Sequence, residues 1–290
     1  MSKTLNVLLT LAALTAPAAA ESKLTTTTFT ASQGGFLVDS TLVAGDKEAI
    51  LIDGQFTLSD AHRLVAMILE SKKTLTTVYV THSHPDHYFG LDVIKQAFPH
   101  VKIVATPETV KEIKATWAGK VKQWAPMYGD LITKKPIIPT ALKGNTLTLE
   151  GQTLEIKQGN GDEAQETYVW IPSIKTVVAG DIVFRGVHPW TAEGKADGRK
   201  AWVKTLDEIA ALEPDVVIAG HEDPKASGRA DAGGVKWTRD YLEAFDAAVA
   251  SSKSAGEVTG KLKKQYPDAQ LDVILQIGAG AQFASVAATR

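Results

Sequence analysis

One run of six residues constrains this chain more than any other: His82-Ser83-His84-Pro85-Asp86-His87. The chain has seven histidines, and three of them fall here, directly behind the strand-forming stretch 77–80. Imidazole is the commonest metal ligand, and carboxylate suits the same hard-to-borderline ions. Pro85 has no backbone N–H to donate and bends the chain. A loop turned this way can point His82 and His84 at one centre and Asp86 and His87 at another. There is no cysteine, so disulfides, iron–sulfur clusters and a thiol nucleophile are all excluded. A metal here must be held by His, carboxylate or other oxygen and nitrogen donors.

Around the run, patterning predicts a fold of two similar halves. Strands are expected over 23–30, 36–43 and 48–52. A helix over 58–69 follows from the spacing of Leu58, Ala61, Leu64, Val65, Ile68 and Leu69. The first half continues with strand 77–80, helix 91–97, strand 101–105 and helix 108–116. Residues 117–138 read as the least regular stretch, a lid or a packed surface loop. The second half predicts strands over 146–149, 153–156, 167–171, 176–178 and 216–219. Its helices are expected over 201–212, 235–251, 255–265 and 271–286. Strands alternating with helices in two halves imply two sheets packed face to face with helices outside.

The His run resembles the His-x-His-x-Asp-His signature of the metallo-β-lactamase superfamily, and the resemblance extends over nearly the whole chain after residue 20. Leu51-Ile52-Asp53-Gly54 is similar to the family's early strand-ending Asp. Val178-Ala179-Gly180-Asp181 is similar to its metal-bridging Asp, and Ala219-Gly220-His221 to its late Gly-His ligand. The resemblance implies an α/β fold, a four-layer αββα sandwich with C-terminal helices. It implies metal ligands His82, His84, Asp86, His87, Asp181 and His221, with catalytic carboxylates Asp86 and Asp53, the latter orienting a ligand imidazole. His188 and Trp190 resemble substrate-pocket positions.

Two positions depart from the family pattern. Asn160, in Gly159-Asn160-Gly161-Asp162, stands where the family has the third imidazole of the His82/His84 centre, with Asp162 and Glu163 as possible substitutes. Zinc is the implied cofactor, one ion held tightly and a second weakly, other divalent metals being alternatives. Phe89 replaces the first Gly of the family's Asp-His-x-Gly-Gly ending. The implied chemistry is hydrolysis by a metal-bound hydroxide attacking a small carbonyl compound, a lactone, ester or similar. The family divides partly by a bridging Asp, and Asp181 counts against a β-lactam substrate. The alternatives are a metal- or ligand-binding pseudoenzyme of the same fold and a β-lactam hydrolase.

Charge and the N-terminus set the expected surroundings. Formal net charge is -2, so there is no basic excess for a nucleic-acid backbone. Lys3, the apolar run 5–14 and the small residues Ala18 and Ala20 are a signal-peptide pattern. Residues 1–20 are expected to be cleaved, leaving a single hydrolase domain over 21–290 in the periplasm or medium. No membrane association is expected after cleavage, and a small molecule is the expected partner.

Overall fold

The computed structural model describes residues 23–226 and 231–284. The expected signal segment 1–20 and the end of the helix expected over 271–286 lie outside the described residues. The first half runs β1 (Thr25–Thr30), β2 (Asp39–Ala44), β3 (Glu48–Ile52), α1 (Leu58–Glu70), β4 (Thr74–Tyr79), α2 (Leu91–Ala97), β5 (Lys102–Ala105), α3 (Pro107–Tyr128) and β6 (Thr140–Ala141). The second half runs β7 (Thr146–Leu149), β8 (Gln152–Asn160), β9 (Ala164–Ile171), β10 (Thr176–Val178), β11 (Phe184–Arg185), α4 (Ala196–Ala211), β12 (Val216–Ile218) and β13 (His221–Glu222). Helices α5 (Gly233–Ala250), α6 (Ala255–Gln265) and α7 (Asp272–Phe283) follow.

Two large sheets form, in the orders β1-β2-β3-β4-β5-β6 and β12-β10-β9-β8-β7; β11 and β13 make a small third one. Strands β3, β4, β5 and β6 run parallel, as do β10 and β12. Of these, β3 and β10 read as apolar runs because both of their faces are buried. In β3, Ala49 and Leu51 face α1, α2 and α3, while Ile50 and Ile52 face the other sheet. In β9, Val169 and Ile171 meet them from the opposite side, and Tyr168 and Trp170 turn outward to the layer containing Trp202 and Leu206 of α4 and Leu242 of α5. The result is the αββα sandwich, with α6 and α7 packed beside α5.

Helix α1 starts where Thr57 accepts the Asp60 N–H at 3.1 Å, an N-cap, and buries Ala61, Leu64, Val65 and Ile68 on one stripe. Two expectations need correction. Residues 117–128 are not a loop: α3 continues to Tyr128, with Pro126 inside its last turn. Trp117, Val121, Trp124 and Tyr128 lie at helical spacing and pack on the first core, Trp124 and Tyr128 against Phe36 and Phe56. That burial outweighs the one hydrogen bond a late proline removes. The strand expected from 36 begins instead at Asp39, because Phe36 and Leu37 have left-handed backbone at φ 60° and 54°. Among the described residues no helix is long and apolar enough to cross a membrane.

Candidate metal centre

Four strand ends converge on one point. Asp53 follows β3, His82 follows β4, Asp181 follows β10, and His221 opens β13 just after β12. Pro85 begins a 3-10 turn over Pro85–His87, where its missing N–H costs no hydrogen bond, and the turn carries Asp86 and His87 inward. Asp53 itself sits at φ 65°, a conformation Asp tolerates better than most residues.

Asp181 is the hub. Its Oδ1 lies 2.9 Å from His87 Nε2 and 3.1 Å from His221 Nε2. Its Oδ2 lies 3.0 Å from His84 Nδ1 and 3.4 Å from His82 Nε2. Asp86 Oδ2 closes on His221 Nε2 at 3.2 Å. Donor atoms of His82, His87 and Asp181 lie within 4.8 Å of one another, as do those of Asp86, His87 and His221. All six residues are buried. His82 Nε2, His87 Nε2 and Asp181 Oδ1 make no hydrogen bond although fully covered. Buried polar atoms are rarely left so, and a set of imidazole and carboxylate donors at these separations fits a pair of divalent ions.

The opposite edge of three of the rings is hydrogen-bonded. His87 Nδ1 donates to Asp53 Oδ2 at 2.8 Å, and His221 Nδ1 to the Phe36 carbonyl at 2.7 Å. His82 Nδ1 donates to Thr81 Oγ1 at 2.9 Å, and that hydroxyl donates to Asp53. His84 turns its Nε2 to Glu163 Oε1 at 3.6 Å. Such outer partners fix tautomer and ring orientation. Asp53 touches His87 and Thr81 and is a positioning residue.

Electrostatics follow from this crowding. Burial opposes charge on His84, His87 and His221, but the surrounding carboxylates, Asp181 foremost, raise all three, His221 to about 10. His82 goes the other way, to about 4, through burial and the neighbouring His87. Asp181, despite its burial, is held well below the usual range by His221 and His87. Asp86 is likewise buried and drops to about 2 beside His87 and His221. Protons on these rings must leave when an ion takes their lone pairs.

The backbone N–H of Asn160 donates to Thr205 Oγ1 at 2.9 Å at the end of β8, where the register against β9 shifts. Asp162 is used structurally, accepting the N–H groups of Glu193 and Gly194 at 2.7 and 2.8 Å. From that segment it is Glu163 that reaches the cluster. Ser83 points away from the rings and donates to Glu163 Oε2 at 3.1 Å, while Lys120 Nζ donates to the Ser83 carbonyl at 2.7 Å. Phe89 is fully buried and stacks on Phe56 at 5.7 Å, so the departure from the family's glycine fills the core beneath the cluster. Two glycines fix the hub. Gly180 has φ 52°, and a Cβ on Gly220 would lie 2.4 Å from the Gly180 carbonyl and 2.7 Å from Asp181 Oδ1.

A cleft opens onto His84, Asp86, Asp181 and His221, with Phe36, Trp124, Phe184 and Trp190 among its walls. His188 and Trp190 both line it. His188 Nδ1 pairs with Tyr241 Oη at 2.8 Å, and burial lowers its pKa to about 4, so the ring is neutral. Trp190 Nε1 donates to Glu193. Sequence reasoning missed Thr81, Lys120, Glu166 and the Phe36 carbonyl. The last is backbone and leaves no signature, whereas the Trp117/Val121/Trp124/Tyr128 stripe was a readable helical period.

Comparison with known proteins agrees with this geometry. The fold resembles a metallo-beta-lactamase family protein from Thermus thermophilus (TM-score 0.64, 18% identity, 92% of this chain and 93% of that one). It also resembles the DIM-1 metallo-beta-lactamase (TM-score 0.54, 22% identity, 76% and 93%) and a metallo-beta-lactamase from Pontibacter korlensis (TM-score 0.54, 19%, 78% and 97%). A probable metallo-hydrolase of Streptococcus pyogenes serotype M6 is 33% identical over 75 residues, 26% of this chain; the match spans about three tenths of that relative's length. The family model described as the metallo-beta-lactamase superfamily matches residues 33–221, which run from before β2 to the last histidine of the cluster, and the chain belongs to that superfamily.

Proposed function

We propose that this protein is an exported, divalent-metal-dependent hydrolase of a small carbonyl compound, a lactone, ester or similar, with zinc as the working metal. The observation that carries this reading is the Asp181 carboxylate set between two groups of imidazoles at the floor of an aromatic-walled cleft. His82, His84 and Asp181 would hold one ion, and Asp86, His87, His221 and Asp181 the other. When bound, such ions supply an activated water and a Lewis acid for a carbonyl oxygen. The chain's own contribution is orientation: Asp53, Thr81 and the Phe36 carbonyl fix three of the rings before substrate arrives, and Glu163 faces the fourth at 3.6 Å. The cleft's aromatic walls bind the apolar part of the substrate and exclude bulk water from the reacting carbonyl. No protein nucleophile is needed, and Ser83, engaged with Glu163 and Lys120, is not one.

The test is elemental analysis of the purified chain together with hydrolysis of a lactone, ester, thioester and β-lactam panel. Metal-dependent turnover of a lactone or ester supports the reading. Metal binding with no turnover on any member overturns it in favour of a binding role, and turnover of the β-lactam alone overturns the substrate class. Export rests on the residues 1–20 pattern. N-terminal sequencing of periplasmic protein should begin at Glu21, and an intact Met1 in the cytoplasm contradicts export.

A further inference from the structure

The cluster has a second approach, distinct from the aromatic cleft. On the far side of His82 a broad cavity is bounded by His82, Glu108, Lys111, Glu112, Glu163 and Glu166, together with smaller residues. No Phe, Tyr or Trp lines it, and four carboxylates face a single lysine. Glu108 and Glu112 lie on the exposed first turns of α3 and form the outer rim. Glu166 stands at the inner end and is 1% exposed. Its Oε1 accepts the Glu163 N–H at 3.1 Å, but its Oε2 is covered and has no hydrogen-bond partner. Beyond it, His82 is 3% exposed with an equally unpartnered Nε2, 3.4 Å from Asp181 Oδ2.

The sequence of groups from solvent inward is therefore exposed carboxylates, a buried unpartnered carboxyl oxygen, an unpartnered imidazole nitrogen and the hub. Such a series attracts a hydrated cation, replaces its water stepwise with oxygen and nitrogen donors, and repels anions. It offers no aromatic surface to the apolar part of a substrate. We propose that this acidic cavity is the loading entrance through which a divalent cation reaches the His82/His84 side of the cluster, with Glu166 as the relay carboxylate, while substrate uses the aromatic cleft. The proposal rests on the reading that the cluster holds divalent ions.

The test follows metal uptake alone. The metal-free full chain is mixed with Co2+, and the growth of the cobalt absorption is timed at low and high salt. Replacing both rim carboxylates (Glu108→Lys with Glu112→Lys) should slow uptake about ten-fold at low ionic strength, with the gap closing at high salt and the final cobalt content unchanged. Glu166→Gln should slow uptake at both salt concentrations. Gln123→Lys, on the wall of the aromatic cleft, should load at the wild-type rate. Uptake by the rim variant at the wild-type rate overturns the proposal, as does a greater slowing by Gln123→Lys. Should Glu166→Gln fail to fold, the two surface variants still decide. A chain that takes up no cobalt at all refutes instead the reading of the cluster as a metal centre.

Discussion

The two oxygens of Asp181 keep unequal company. Oδ1 meets two imidazoles, His87 and His221, with Asp86 closing the group at 3.2 Å from His221. Oδ2 also meets two imidazoles, His84 and His82, but at 3.0 and 3.4 Å and with Glu163 standing 3.6 Å off the far nitrogen of His84. The segment from Asn160 to Glu166, which could have supplied a further donor on that side, instead places a carboxylate behind His84. One half of the cluster is thus a complete donor set, and the other is an oriented but thinner one. Affinity should differ accordingly, about one ion per chain held through mild chelation and a second taken up only in excess metal.

The largest expected effect is common to both halves. Asp181→Ala should remove both ions and lower kcat by about three orders of magnitude or more, since water activation and the Lewis acid go together. Elemental analysis beside a turnover assay checks it, and retention of two ions would break the comparison outright. Next, the halves should part company. His221→Ala should strip the tight ion, whereas His82→Ala should leave close to one ion per chain. Equal losses in the two variants would show that the halves are not independent. Smaller again, Glu163→Gln should weaken the second ion about ten-fold by loosening His84, with the tight ion unaffected.

pH sharpens the contrast between loaded and chelated protein. His221, raised to about 10, contributes stability that is complete below its ordinary 6.5 and is lost as pH rises towards 10. Asp86, lowered to about 2, contributes stability that is present above its ordinary 3.8 and is lost as pH falls through 2. Chelated protein should therefore melt highest between about pH 4 and 6.5, whereas loaded protein gains stability as proton competition for the ligands fades. Parallel Tm profiles with and without chelator would contradict this. Least of all, Ser83→Ala removes one link between Lys120 and Glu163 and should cost about 1 kcal/mol in thermal unfolding, with both ions kept.

Much of this was legible because burial on both faces leaves a strong trace. The β3 and β10 runs and helices α2 and α6 are read to the residue or nearly so from apolar pattern alone. The αββα arrangement agrees with what the resemblance implies, and His82, His84, Asp86, His87, Asp181 and His221 stand close together in it. What escaped were features decided by tertiary partners. Helix α3 runs through Pro126 because its aromatic stripe is covered by Phe36 and Phe56. Asn160 matches the family position by counting along the chain, but it is Glu163 of that segment whose carboxylate stands 3.6 Å from His84 Nε2. Glu166 carries no motif, and only its covered, partnerless oxygen marks it.

The close approach of Gly220 to Gly180 has a bearing on how variation in this chain should be read. Neither glycine offers a side-chain donor atom, yet a Cβ on Gly220 would strike the hub carboxylate and one on Gly180 would strike Thr81. A single methyl at Gly220 displaces backbone as well as Asp181, and Gly180 adds the strain of a left-handed φ. In a saturation screen scored by metal retention, these two positions should be as intolerant as the histidines themselves. Tolerance in this protein would then trace the space around the ligands as faithfully as the ligands.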